Sequence, residues 1–170
     1  QILDLHPNKQ EILKSKQEYI AETGNKEGYT LMAYCVRWNR QGDRCLFYFG
    51  NHAAPSTHKE PILCYIFTAD KELKDIRLAL DLSFGRRKGG HWSWHPDGKR
   101  LVGYATTAEK KNQFSVCTVN YDGTEFQKIS DHDSGGHVSI CPTDYHLLLT
   151  DESTNPGRVV FINLTTDTEV

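Results

Sequence analysis

The sequence lacks the features that would direct it to a membrane or to nucleic acid. No apolar run approaches the ~20 residues of a membrane-spanning helix. The start, QILDLHPNKQ, has no basic segment followed by an apolar one. The formal net charge of the 170 residues is only −2, so strong attraction to nucleic acid or to an acidic membrane surface is not expected. Neither a membrane nor a nucleic acid is therefore predicted as a partner.

Cysteine motifs are also missing. The cysteines are odd in number and no two are spaced as C-x-x-C, which argues against a zinc ribbon and against a complete disulfide framework. All of them lie in or beside apolar runs, so we expect small buried side chains in strands. Unpaired cysteines favour a reducing, cytoplasmic compartment. The five are Cys35, Cys45, Cys64, Cys117 and Cys141.

Familiar catalytic fingerprints are absent as well. The chain has no G-x-S-x-G nucleophile elbow, no phosphate-binding loop and no dinucleotide-binding fingerprint. No pair of carboxylates is singled out by its position for hydrolysis. The composition, with 38% hydrophobic and 25% charged residues, is that of an ordinary globular chain of one domain.

The chain does contain an internal repeat. Three segments can be aligned without gaps, and each reads as a short strand, a tight polar turn and a second strand. Gly42, Gly98 and Asp144 lie at the turn, where a positive φ or a local side-chain hydrogen bond is useful. The segments are CVRWNRQGDRCLFYF (35–49), HWSWHPDGKRLVGYA (91–105) and HVSICPTDYHLLLTD (137–151).

Each segment is followed by another strand and turn, rich in β-branched and aromatic residues. The resulting unit of four short antiparallel strands recurs after 56 and then 46 residues, a period typical of a β-propeller blade. We therefore predict an all-β fold. It is a segment of a β-propeller with about three four-stranded antiparallel blades, part of a longer seven- or eight-bladed chain.

The repeat also predicts the boundaries of the blades. The remaining blades of the same chain are expected partners, because propellers usually need at least four blades to close. The first residues are expected to complete a preceding blade, with a strand to about Leu13 and then a helix or loop, since 8–22 is rich in helix formers. The predicted parts are 1–30 (blade end and connection), 31–84, 85–130 and 131–170 (incomplete).

A family likeness follows from these residues. HPDGKRLVGY (95–104) resembles the S-P-D-G-K-R motif of TolB-like (PD40-type) propellers. GGHWSWHPDG (89–98) and SGGHVSICPTDYHLLLTDE (134–152) resemble the oligogalacturonate lyase-like and ulvan lyase-like propellers. This second resemblance implies a carbohydrate-active protein of the polysaccharide lyase type. Some of those lyases bind a divalent metal (Mn, Ca or Zn) through several histidines and a glutamine. In the first segment Cys35 stands at the position where this pattern has a histidine.

Two histidines are predicted to converge. His91 and His137 hold equivalent positions at the start of inner strands in neighbouring blades, and inner strands line the central channel of a propeller. They are therefore predicted to be close in space, either as catalytic residues or as hydrogen-bond donors to the next blade. Arg86 and Arg87 precede His91 and could bind the carboxylate of an anionic sugar; the alternative is a solvated basic loop.

Other polar residues are further candidates for parts of a turn or of a binding site. His95 takes the place of the serine before Pro-Asp-Gly and is predicted to serve the turn. His52 and His58 lie in a long loop, 50–61, from which either could reach a ligand. One acidic group could hold a cation through oxygen and imidazole atoms. Its members are Asp131, His132, Asp133, Asp151 and Glu152.

The predicted function is β-elimination on a uronate-containing glycan. That reaction needs a cation at the uronate carboxylate, a base for the C5 proton and an acid for the leaving oxygen. We expect His91 or His137 to act as base or acid and an anionic oligosaccharide or polysaccharide to be the partner. Two alternatives remain: a non-catalytic platform that binds a protein or ligand, and a propeller attached to an α/β-hydrolase.

Overall fold

The computed structural model describes residues 9–24, 32–50, 63–83, 89–107, 113–133, 135–152 and 156–170. These residues form three four-stranded antiparallel sheets in chain order, which confirms the predicted all-β blade architecture. Sheet I contains β1 (Met32–Trp38), β2 (Arg44–Gly50), β3 (Cys64–Asp70) and β4 (Ile76–Asp81). Sheet II contains β5 (Gly89–Trp94), β6 (Arg100–Thr106), β7 (Phe114–Asn120) and β8 (Gln127–Ser130). Sheet III contains β9 (Gly135–Ile140), β10 (Leu147–Glu152), β11 (Arg158–Asn163) and β12 (Thr168–Glu169).

One helix, α1 (Lys9–Thr23), precedes the sheets in the described residues. The strand predicted to reach about Leu13 is therefore wrong from residue 9 onward, because helix propensity dominates in this lysine- and glutamate-rich segment. Gly24, with φ 66°, ends the helix and donates its amide to the carbonyl of Ile20. Ile20 packs against the outer apolar cluster of sheet I. The described part of the chain has no helix long and apolar enough to span a membrane.

The turns between the first two strands of each sheet follow the predicted pattern with one correction. Gly42 and Gly98 both adopt φ 70°, the left-handed conformation that glycine accepts at little cost. In sheets I and II the turn is closed by bonds from Asn39 to Arg44 and from His95 to Arg100.

In sheet III the equivalent bond runs from the amide of Cys141 to the carbonyl of Leu147, so this turn is one residue longer. The gap-free alignment of the third segment is therefore wrong beyond the turn. Pairing confirms the shift: Trp94 lies opposite Leu101, whereas the equivalent Ile140 lies opposite Leu148.

Apolar side chains between successive sheets form the core. Leu46, Tyr48 and Ile66 of sheet I pack against Trp92 and Leu101 of sheet II. A second cluster joins sheets II and III; its members include Val102, Val116, Val138, Ile140, Leu148 and Ile162.

Trp92 is fully buried, and a Cβ at Gly103 would lie 2.5 Å from its ring. Glycine is therefore required at Gly103 for the indole to lie flat on β6.

The cysteines are only partly as predicted. Cys45, Cys64 and Cys117 are buried in strands, whereas Cys35 is exposed and Cys141 is half-buried. Cys35 lies in the innermost strand of sheet I, where the bulge described below turns its side chain outward. Cys141 begins the longer turn of sheet III. All five are free thiols.

Candidate functional site at the inner strands

The first strand of each sheet contains a β-bulge, and the three bulges hold Cys35, His91 and His137. A bulge leaves one residue without a regular partner and changes the direction of its side chain. Cys35 and His91 have φ values of 52° and 55°, a conformation that residues other than glycine rarely adopt. All three side chains are exposed. The bulges therefore direct a thiol and two imidazoles outward at the same end of adjacent inner strands.

The two histidines are in contact. The ring centroids of His91 and His137 lie 4.1 Å apart at an interplanar angle of 55°, which is the proximity that the repeat predicts. Nδ1 of His137 lies 2.8 Å from Oδ2 of Asp151. Oδ1 of Asp151 accepts the backbone amides of His137 at 2.6 Å and Gly136 at 3.1 Å. One carboxylate thus fixes both the bulge and the orientation of the imidazole.

Asp151 occupies a position that has a structural role in the other two sheets. By strand pairing, Asp151 is equivalent to Tyr48 and Tyr104. Each of the three lies on the second strand of its sheet, three residues after the residue that pairs with the last residue of the first strand. The hydroxyl of Tyr48 accepts the backbone amide of Trp92 in the next sheet, and that of Tyr104 reaches His132. In sheet III a carboxylate replaces the tyrosine and serves its own sheet's histidine.

The environment of His91 favours its neutral form. Partial burial lowers the pKa of His91, and the neighbouring His137 and the guanidinium of Arg37 lower it further, while Asp151 acts in the opposite direction. Arg37 lies on β1 and donates to the carbonyl of Trp92, the residue after His91, at 3.3 Å. Sequence reasoning missed Arg37, because only the contact between β1 and β5 brings it to the histidines.

His95 has the turn role that was predicted for it. Its side chain is buried, and its Nδ1 accepts the backbone amide of Asp97 at 3.2 Å. Burial lowers the pKa of His95, against the attraction of Asp97. Its ring packs edge-on against Tyr145 at 4.9 Å. The i, i+4 spacing of His91 and His95 therefore does not form one site.

The acidic group predicted as a cation site is divided by the structure. Asp151 pairs with His137, and Asp131 pairs with Lys128. Asp133 accepts from Gln113.

His132 and Glu152 belong to a separate network between sheets II and III. Nδ1 of His132 lies 2.7 Å from the hydroxyl of Tyr104, and its Nε2 lies 2.8 Å from Glu152. Nε of Arg158 donates to the other oxygen of Glu152 at 2.6 Å, and its Nη atoms bind Glu169. His132, Glu152 and Glu169 hold ligand atoms within 4.8 Å of one another. Arg158 already supplies the positive charge there.

Several predicted residues lie outside the described residues. Arg86 and Arg87 belong to the segment 84–88, and His52 and His58 belong to 51–62. Their assignments as carboxylate-binding or ligand-reaching residues stay predictions.

A concave feature lies at the turns between the first two strands of sheets I and II. A cavity of about 430 Å³ opens between the turns of sheets I and II. The guanidinium of Arg44 lies over the ring of Tyr121 at 4.4 Å, and Asn39 donates to the carbonyl of Gly98 at 3.2 Å. Arg44 also pairs with Asp75. These groups are satisfied by one another, so this cavity has a structural explanation that the histidine pair lacks.

The comparisons with known proteins agree with this architecture. No protein-family model and no curated protein sequence matches the chain. Among solved structures, an oligogalacturonate lyase in complex with manganese matches with a TM-score of 0.60 at 13% identity, over 82% of this chain and 35% of its own. TolB from Acinetobacter baumannii matches with a TM-score of 0.54 at 18% identity, over 93% of this chain and 34% of its own. The chain folds as a segment of a TolB-like β-propeller.

The TolB-like segment spans about a third of the length of these two proteins. An acylaminoacyl peptidase from Pyrococcus horikoshii also matches, with a TM-score of 0.57 at 8% identity, over 83% of this chain and 24% of its own. One of these proteins is named as a lyase and another as a peptidase, so the shared fold does not select a function. Function must be argued from the histidine pair.

Proposed function

We propose that this TolB-like propeller segment contributes the acid–base pair of a polysaccharide lyase that cleaves a uronate-containing glycan by β-elimination. The observation that carries the proposal is the contact of His91 and His137 at 4.1 Å with Asp151 behind one of them. Two imidazoles in different electrostatic surroundings are suited to one proton removal and one proton donation. The oligogalacturonate lyase with the same fold supports this choice of substrate class.

The surroundings of the two rings assign their roles. His91, whose pKa is lowered chiefly by burial, is neutral near neutral pH and is the base that removes the C5 proton. His137, whose Nδ1 lies 2.8 Å from Oδ2 of Asp151, is oriented by that carboxylate and is the acid for the leaving oxygen. The C5–H and C4–O4 bonds break, a C4=C5 double bond forms, the C5 proton moves to His91, and O4 takes a proton from His137.

The resemblance implies a divalent metal held by several histidines and a glutamine. The described inner strands present two imidazoles, His91 and His137, and the thiol of Cys35 in the third equivalent position. The carboxylate of Asp151 is occupied by two backbone amides and the ring of His137. The described residues therefore supply only part of the ligand set that the resemblance implies, and every step proposed here is assigned to the side chains of this chain.

The proposal is tested by single substitutions in the full chain. His91→Ala and His137→Ala are each expected to lower formation of the unsaturated product from polygalacturonate by about 100-fold or more, which is the usual contribution of a general acid or base. The product is followed by its ultraviolet absorbance. His146→Ala is the matched control, because His146 is exposed in the turn at the other end of sheet III. Unchanged activity in both site variants would exclude these roles.

The pH dependence gives a second test. Because the pKa of His91 is lowered, kcat/KM is expected to rise with pH through an acid limb centred below the ordinary histidine value of about 6.5. His91→Ala is expected to remove that limb. If His91→Ala keeps the acid limb of the pH profile, a group other than His91 is the base.

A non-catalytic binding platform is the second candidate function. Leu149, Val159 and Phe161 expose an apolar face of sheet III, with exposed fractions of 37%, 64% and 46%. The equivalent faces of sheets I and II are covered by the next sheet, so in a longer propeller the next blade covers this face as well. The two functions are separated by one comparison: binding of an oligouronate by wild-type protein with no unsaturated product favours the platform and contradicts the lyase.

A further inference from the structure

Arg37 holds a position whose structural task needs only a serine. By strand pairing, Arg37 on β1 is equivalent to Ser93 on β5, since they lie opposite Leu46 and Val102. Both side chains donate to a backbone carbonyl of the next inner strand. Arg37 reaches the carbonyl of Trp92 at 3.3 Å, and Ser93 reaches that of the equivalent residue of β9 at 3.1 Å. A serine hydroxyl is enough for this contact between strands, so the guanidinium of Arg37 has more N–H donors than the contact needs.

Within the described residues, the bond to Trp92 is the one hydrogen bond that the guanidinium of Arg37 forms. A guanidinium has five N–H groups, and the bond to Trp92 uses one of them. Within the described part of the chain Arg37 forms no salt bridge, unlike Arg44, Arg100 and Arg158. Its side chain is exposed. An exposed arginine with free paired donors is the group that binds a carboxylate in the bidentate manner.

The position of Arg37 relative to the histidines defines what it could bind. It is anchored to the residue that follows His91, and its charge is close enough to contribute to the lowered pKa of His91. A uronate has its carboxylate on C5, the carbon that loses the proton. A cation at that carboxylate stabilises the negative charge that develops when the proton leaves.

We infer that Arg37 is the carboxylate-binding residue of the site and selects acidic over neutral or esterified sugars. The inference rests on the proposed function, because it places the uronate beside His91. It assigns to a described residue the role that the sequence predicted for Arg86 and Arg87.

Arg37→Ser is the sharpest test, because the chain itself uses serine at this position in sheet II and so retains the strand contact. The measurement is the Kd of an oligogalacturonate and of its methyl ester by calorimetry, with Arg77→Ser as the control for an exposed arginine elsewhere. Arg37→Ser is expected to weaken binding of the acid by about 10- to 100-fold. The Kd of the ester and the unfolding temperature are expected to stay unchanged.

The outcomes separate this inference from the lyase proposal. Binding of the acid that is equally tight in Arg37→Ser and wild-type protein overturns the role of Arg37, as does an equal loss for acid and ester. Binding that is lost only for the acid supports Arg37, even if wild-type protein forms no unsaturated product and the lyase proposal fails. No binding of the acid by wild-type protein overturns both. Arg37→Lys keeps the positive charge but loses the paired N–H donors of the guanidinium. It is expected to bind the acid more tightly than Arg37→Ser but less tightly than wild-type protein.

Discussion

The hydroxyl of Tyr48 in sheet I accepts the backbone amide of Trp92 in sheet II at 2.6 Å. This bond joins two sheets at the residue next to His91. Tyr48→Phe leaves the buried amide without an acceptor and is expected to lower the free energy of unfolding by about 1–3 kcal/mol. Chemical denaturation measures the change.

Tyr145→Phe is the control for the loss of a hydroxyl, since Tyr145 is 43% exposed and only its ring packs on His95. Its effect is expected to stay within about 0.5 kcal/mol. If the denaturation midpoint of Tyr48→Phe equals that of Tyr145→Phe, water replaces the Tyr48 hydroxyl as the acceptor for the amide of Trp92.

The turn carboxylate of Asp97 predicts how stability depends on pH. Burial opposes its ionisation, but the amides of Lys99 and Arg100 and the Arg100 guanidinium lower its pKa to about 2. The folded pKa is below the unfolded value, so the stabilisation is present above about pH 4 and is lost as the pH falls towards 2. Asp97→Asn is expected to cost at most roughly 2 kcal/mol at pH 7, with the difference from wild-type protein vanishing near pH 2.

The control for this pH dependence is Asp144→Asn in the turn of sheet III. Asp144 is exposed and accepts the amide of His146 at 3.0 Å, and within the described residues it forms no salt bridge of the kind that joins Asp97 to Arg100. A smaller loss is expected. Acid titrations that are parallel for wild-type protein and Asp97→Asn would contradict the assignment to Asp97.

Arg158 acts as the cation of a group that otherwise resembles a zinc site. Glu152 is only 4% exposed in its side chain, so removal of the guanidinium leaves a buried carboxylate with His132 as its remaining partner. Arg158→Ala is expected to destabilise the chain by about 1–3 kcal/mol. Added Zn²⁺ is expected to restore stability in this variant, because imidazole and carboxylate are zinc ligands. Wild-type protein is expected to show no such effect.

Thermal unfolding with and without Zn²⁺ measures both changes. Arg77→Ala removes an exposed arginine that pairs with Asp75 and is expected to show no response to zinc. Stabilisation of wild-type protein by Zn²⁺ would mean that Arg158 does not block the group. A variant that is destabilised but unaffected by zinc would mean that the three ligands do not assemble.

The five thiols are expected to differ in reactivity. Cys35 and Cys141 should be alkylated by iodoacetamide in the native protein, whereas Cys45, Cys64 and Cys117 should react only after unfolding. Burial raises the pKa of the Cys64 thiol to about 11. Hydrogen bonds from the hydroxyl and the amide of Thr143 lower the pKa of Cys141. Mass spectrometry at each position gives the rates, and equal rates at all five would contradict the burial pattern.

The repeat predicted the fold because blade architecture depends on local patterns. The alternation of apolar residues defines each strand, and residues such as Gly42 and Gly98 define each turn. Both patterns extend over only a few residues and can be recognised in the sequence. The contact of His91 and His137 was predictable for the same reason, since equivalent positions in adjacent blades converge.

Three features of the site were not predictable from the sequence. The longer turn of sheet III is invisible in a gap-free alignment, because strands and turn keep similar residue types. The pairing of Asp151 with His137 depends on that shift, since a register change of one residue reverses the face of each side chain. Arg37 is separated from His91 by most of sheet I, so only tertiary structure brings its guanidinium to the pair.

The extra residue between Cys141 and Leu147 has a consequence for the histidine site. It shifts β10 by one position against β9, so that Thr150 is buried beside Tyr104 of sheet II and Asp151 lies beside His137. At the equivalent position sheets I and II have Tyr48 and Tyr104, whose hydroxyls form hydrogen bonds. Sheet III has Asp151 there, and its carboxylate contacts the imidazole of His137. The length of a turn at one end of β10 thus determines which side chain contacts the histidine at the other end.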